Sequence, residues 1–128
     1  MARPNKAMQE EAQRGLDWRK EFGRGGTRVG ATRANQIVNG DNLSDDTIKR
    51  MYSFFSRHEV DKQGEGFSPG EDGYPSNGRI AWALWGGDAG FAWSKRLVKQ
   101  MEQDRNENRA APDALKVGDF VSWNSAGG

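Results

Sequence analysis

The stretch from Gly73 to Trp93 sets three of the chain's five tryptophans, Trp82, Trp85 and Trp93, among glycines. Each indole can bury ~150–250 Å², and no small domain leaves that much aromatic surface in water. This stretch must therefore supply the core. The Gly86-Gly87 break within it lets two short helices fold back closely enough to share the rings.

A chain of 128 residues fits one domain that buries about two thirds of its unfolded surface. Only 34% of it is hydrophobic while 29% is charged, and 17 residues are glycine, so the core must be small and the connections long. Nineteen basic side chains face 18 acidic ones. That balance gives no chain-wide attraction for nucleic acid or anionic lipid, and any basic surface must be local. The absence of cysteine excludes disulfides, thiolate zinc sites and cysteine nucleophiles together. The longest apolar run, Ile80 to Trp85, is far short of the ~20 residues that cross a bilayer, so a soluble protein without membrane contact is expected.

Hydrophobic spacing predicts five helices. The first covers Ala7 to Phe22, with Met8, Ala12 and Leu16 on one side and Trp18 and Phe22 adjoining, and it ends at Gly23-Arg24-Gly25-Gly26-Thr27. The second starts at Gly30 or Ala31 and reaches Val38, with Ala34, Ile37 and Val38 inward and Asn39-Gly40 as the stop. The third has the clearest start: Ser44 at the N-cap, Asp45 and Asp46 against the positive dipole end, and Leu43 placed to staple on Ile48. Its buried stripe is Ile48, Met51, Tyr52 and Phe55. Between Glu59 and Asn77 the composition predicts a long loop rich in glycine and acid, a lid or a segment pinned by Phe67 and Tyr74. Ser76 or Asn77 caps a fourth helix through Trp85. Asp88 caps a fifth reaching about Asp104, with Ala89, Trp93, Leu97 and Met101 on its apolar face.

The organisation expected is thus a mainly α, Trp-rich five-helix domain over residues 1–104, a linker over 105–114 and an extended tail over 115–128. Leu115 to Trp123 alternates β-branched and aromatic residues around Gly118-Asp119 and reads as a strand in need of a partner. Val117, Phe120, Val121 and Trp123 are its candidate association residues.

Several segments together resemble a small helical module of tailed-bacteriophage proteins. They are Gly25-Gly26-Thr27-Arg28-Val29-Gly30, Leu43-Ser44 through Met51, Phe54 to Lys62, and Gly73 to Asp88. The resemblance covers roughly residues 10 to 105. In such proteins the module often precedes an entry strand of a small SH3-like barrel, which Val117 to Asn124 resembles, and then a prohead-protease-type region. The chain stops at Gly128, so no protease residue is carried over. The resemblance implies a phage context: the cytoplasm of an infected bacterial host and the virion, with a phage structural protein or a second copy as partner.

The chemistry-bearing residues divide between bland and sharper readings. His58, the only histidine, sits between Arg57 and Glu59 where a helix C-terminus favours its charged form. A structural cap is one reading, and a hydrolase centred on His58 is the other, though no serine or cysteine is placed by sequence as its nucleophile. Glu59, Asp61, Glu65, Glu71 and Asp72 lack the spacing of a calcium loop, so a solvated loop is expected, with a divalent-cation site as the lesser reading, and no metal, cofactor or small-molecule site is assigned. The Gly23 to Gly30 run resembles a phosphate loop only loosely, since no Lys-Ser or Lys-Thr follows it; a tight interhelical turn is the plainer reading. Arg24, Arg28 and Arg33 nevertheless surround those glycines, and Lys49, Arg50 and Arg57 add to a local basic patch. Helices two and three could form a helix-turn-helix reading DNA with Arg33 and Gln36, although their connection is longer than usual. The function expected is a non-catalytic module for virion or head assembly acting through protein contacts, with DNA binding through the patch as the alternative.

Overall fold

The computed structural model describes residues 2–110, and these form five α-helices and one short 3-10 helix. Helix α1 covers Lys6–Phe22, α2 Arg28–Asn39, α3 Asp45–His58, α4 Asn77–Leu84 and α5 Gly87–Ala110, with the 3-10 helix at Glu59–Gln63. No strand occurs among the described residues; Ala2 and Leu43 exchange a single antiparallel bridge. One compact unit ends at Val98. The fifth helix continues past Asp104 to Ala110, into the stretch expected as linker. Residues 111–114 of that linker, and the tail residues Val117, Phe120, Val121 and Trp123, lie outside the described residues.

Local chemistry explains the helix ends. Asn5, Thr27, Ser44 and Ser76 each accept a hydrogen bond from a first-turn N–H of α1, α2, α3 and α4, satisfying a donor that the helix itself leaves unpaired. Gly23 and Gly40 close α1 and α2 in the left-handed region, where a side chain would be strained. Helix α2 begins at Arg28 rather than Gly30, because the Thr27 hydroxyl caps it by accepting from Gly30 N–H. Asp88 is not a cap: α5 opens one residue earlier, at Gly87, whose φ of 65° makes the corner.

Helix α1 packs on both α2 and α4, and α4 also meets α2, α3 and the 3-10 helix. The inner positions of α1 are Met8, Ala12 and Gly15. Glycine, not Leu16, takes the closest approach, because a Cβ at Gly15 would lie 2.7 Å from the Leu84 backbone nitrogen. Trp82, Trp85 and Trp93 are all buried, together with Met51, Phe54, Phe55, Ile80 and Leu84. Leu43 and Ile48 are buried as the staple requires. Along α5 the innermost positions are Gly90, Trp93, Ser94 and Val98, with Ala89 and Leu97 half-buried. The stripe is rotated from the expected one because Gly90 must lie against the Trp85 carbonyl, 2.7 Å from where a Cβ would stand.

Gly15→Ala tests the α1–α4 contact. Alanine ordinarily improves a helix interior by about 0.5–1 kcal/mol over glycine. Here the added methyl meets backbone of α4, which cannot retreat as a side-chain tip could, and overpacking costs about 1–3 kcal/mol. The clash wins, so the thermal midpoint followed by circular dichroism falls; a rise would show that α1 and α4 part freely.

The segment expected as a long loop is tied down at many points. It opens with the 3-10 helix, and Glu71 Oε1 then accepts from both Gly66 N–H and Ser68 N–H at 3.0 Å. The Tyr74 ring meets Trp18 edge-on at 5.7 Å, and Phe67 meets Trp82 at 6.2 Å. Phe67 and Tyr74 thus anchor it to the core rim, and Ser76 N–H closes it on the Gly66 carbonyl.

Candidate functional site

Two places concentrate polar chemistry: a cleft between α1, α4 and the first turn of α5, and the corner joining α1 to α2.

The cleft is lined by Glu10, Glu11, Arg14, Phe67, Arg79, Trp82 and Asp88, among others. Arg79, with 13% of its side chain exposed, gives Nη2 to Glu11 Oε1 at 3.0 Å. Its guanidinium carbon lies 5.0 Å from the Trp18 ring and 5.8 Å from Phe67. Nη1 is buried without a hydrogen-bond acceptor, and the flanking ring faces offer it π density in place of one. Arg14 binds the other Glu11 oxygen at 3.3 Å. Glu11 also stands at the start of α5, where a Cβ on Gly87 would come within 2.5 Å of its Cγ. A carboxylate there faces the positive end of the helix.

At the open side of the cleft, Asp88, 76% of whose side chain is exposed, accepts on Oδ1 from Trp82 Nε1–H at 2.9 Å and from Lys62 Nζ at 2.8 Å. Partial burial works against the Asp88 charge, yet these hydrogen bonds and the nearby cations hold its carboxyl below the usual range. Lys62 also lies 4.9 Å from the Trp82 ring. The principal charges of the cleft are therefore paired within the chain, and they join α1, the 3-10 helix, α4 and α5.

The corner is built differently. Gly25 and Gly26, both at positive φ, lie against Ile80 and Leu84 so closely that a Cβ on either would come within 2.6 Å of those side chains. Arg19 Nε holds the Gly25 carbonyl at 3.2 Å. The glycine run is a turn seated on α4. On it Arg24 places Nη1 on Asn77 Oδ1 at 2.8 Å and its guanidinium 5.3 Å from the Phe22 ring. Phe22 is 41% exposed and Val29 57%, so the ring expected to adjoin the core looks outward. Arg28 is exposed beside Val29.

Of the remaining residues expected to form a basic patch, one turns inward. Arg33 is only 8% exposed; it donates Nη1 to Gln36 Oε1 and covers Trp85 at 5.4 Å. Burial, with Arg50 nearby, lowers its proton affinity below that of an ordinary guanidinium. Arg33 and Gln36 are thus turned on each other instead of outward. Trp85 stacks in turn on Phe54 at 4.5 Å, and Phe54 lies 4.6 Å from the His58 ring. His58 Nδ1 lies 3.2 Å from Asp61 Oδ2, the end of a ladder that ties α2, α4 and α3 together. Lys49, Arg50 and Arg57 are exposed on α3. No Cα of α2 approaches α3 within 8 Å, so the two helices lack the mutual packing of a helix-turn-helix. Among the described residues no three His, Asp or Glu side chains are grouped as a metal site needs, and no helix is long and apolar enough to cross a membrane.

Sequence reasoning missed Glu11, Arg79, Lys62 and Asp88 as a group, since partners drawn from four elements leave no local spacing. Comparison with protein families, curated proteins and solved structures finds no match for this chain.

Proposed function

We propose that the chain is a non-catalytic module of tailed-phage head assembly, working through protein contacts made at the α1–α2 corner. The observation that carries this reading is an exposed Phe22 held under a tethered Arg24 on a turn that α4 keeps rigid. Aromatic and arginine side chains dominate the binding energy of interfaces, and exposed apolar residues on a fixed scaffold are the usual mark of one. The resemblance to phage modules supplies the context: a head structural protein or a second copy as partner, in the infected host and the virion.

A second reading has its own observation. Arg28, Arg50 and Arg57 make no ion pair among the described residues, and with Lys49 they could neutralise DNA phosphates without reading bases. One variant separates the two. Phe22→Ser with Val29→Ser should keep the far-UV circular dichroism spectrum and lose co-purification with head proteins from infected cells. Unchanged co-purification would place the contact elsewhere. Retardation of duplex DNA that survives in this variant and falls steeply with salt would favour the phosphate-binding reading.

A further inference from the structure

The corner's chemistry narrows the kind of surface it accepts, an inference that rests on the interaction-module reading. Arg24 is fixed at two points, by Asn77 on Nη1 and by the Phe22 ring under its plane. These contacts leave the edge formed by Nε and Nη2 without an acceptor among the described residues. That edge presents two parallel N–H donors, the geometry that matches a carboxylate bidentately. Because the side chain is already ordered, little rotamer entropy remains to be lost on binding. Beside it Phe22 and Val29 offer apolar surface, and Arg28 a second positive charge.

A phosphate backbone fits this place less well. Glu21 is exposed next to Phe22 and would repel a polyanion, and the charge of the whole chain is only +1, too small to attract one at a distance. A single carboxylate, or glutamates spaced by tyrosine, meets less repulsion from Glu21 than a continuous run of phosphates and needs no attraction at a distance.

We propose that the Phe22–Arg24 corner binds a protein segment carrying an aspartate or glutamate beside an apolar side chain.

The test uses the full chain and three immobilised probes: polyglutamate, a glutamate–tyrosine copolymer and a short DNA duplex. The copolymer should bind about tenfold more tightly than polyglutamate, since only it fills the apolar half of an arginine–aromatic site. Arg24→Lys keeps the charge but loses the fork, and should weaken copolymer binding by about tenfold with an unchanged circular dichroism spectrum. Lys95→Ala, on α5, controls for net charge and should leave binding alone. Equal affinity for copolymer and polyglutamate, indifference to Arg24→Lys, tighter binding of duplex, or no binding of the copolymer would each overturn the proposal. If the copolymer fails while Phe22→Ser with Val29→Ser still abolishes capture of head proteins, the module reading stands and the carboxylate assignment falls. Copolymer binding that depends on Arg24, with capture unaffected by Phe22→Ser with Val29→Ser, upholds the assignment and places the head-protein contact elsewhere.

Discussion

Trp82→Ala is expected to destabilise the protein by about 3–5 kcal/mol, the range for truncating a large core aromatic. Trp82 is 2% exposed. Phe55, Phe91 and Phe67 meet its ring at 4.8, 5.8 and 6.2 Å, and these rings belong to α3, α5 and the segment before α4. Three separate stretches of chain therefore lose a common neighbour, and they cannot all close on one cavity. The loss also leaves Asp88 without its indole donor and Lys62 without the ring beneath it. Urea unfolding measures the effect. Trp82→Phe, which keeps most of the volume but not the N–H, should lose clearly less. Equal losses would mean that the hydrogen bond to Asp88, not the packing, dominates.

The second large effect belongs to Glu11. Breaking one partner of a buried ion pair costs about 3–5 kcal/mol because the other charge is left without compensation. Glu11 and Arg79 keep 21% and 13% of their side-chain exposure, so water recovers part of that, and Glu11→Ala should cost about 2–3 kcal/mol. The informative comparison is Glu11→Ala with Arg79→Met. Removing the stranded guanidinium should restore part of the loss, leaving the double variant more stable than Glu11→Ala alone. A double variant whose loss equals the sum of the singles would show that the two residues act independently.

The parts of this fold legible in the sequence are those governed by near neighbours. Ser44 and Ser76 announce their helices because a hydroxyl three residues ahead of an N–H is a local matter. The burial of three tryptophans follows from their area. Thr27 is legible in principle, as a hydroxyl before a helix, but it closes a glycine run that reads as a turn, and Gly30 sets the expected helix start later. Arg33 shows a different failure. It falls on the inner face set by Gly30, Ala34 and Ile37, yet an arginine there reads as surface until the Trp85 ring that receives it is placed. Phe22 errs the other way, an aromatic at core spacing left outside because α1 ends beneath it. The Glu11–Arg79 pair spans 68 positions and has no sequence signal at all, since only the packing of α1 on α4 brings the two together.

That same packing has a temporal side. The first helix is made early in synthesis, but Leu84, the residue that Gly15 must touch, and Arg79, which Glu11 must bind, follow after most of the domain has been polymerised. Non-local contacts return their energy only after the intervening chain has been closed into a loop, and a short helix alone is marginal in water. A growing chain therefore carries α1 unfinished, with Met8 and Ala12 lacking their full cover, until α4 is complete. The helix made first thus waits for α4 before both of its partners are in place.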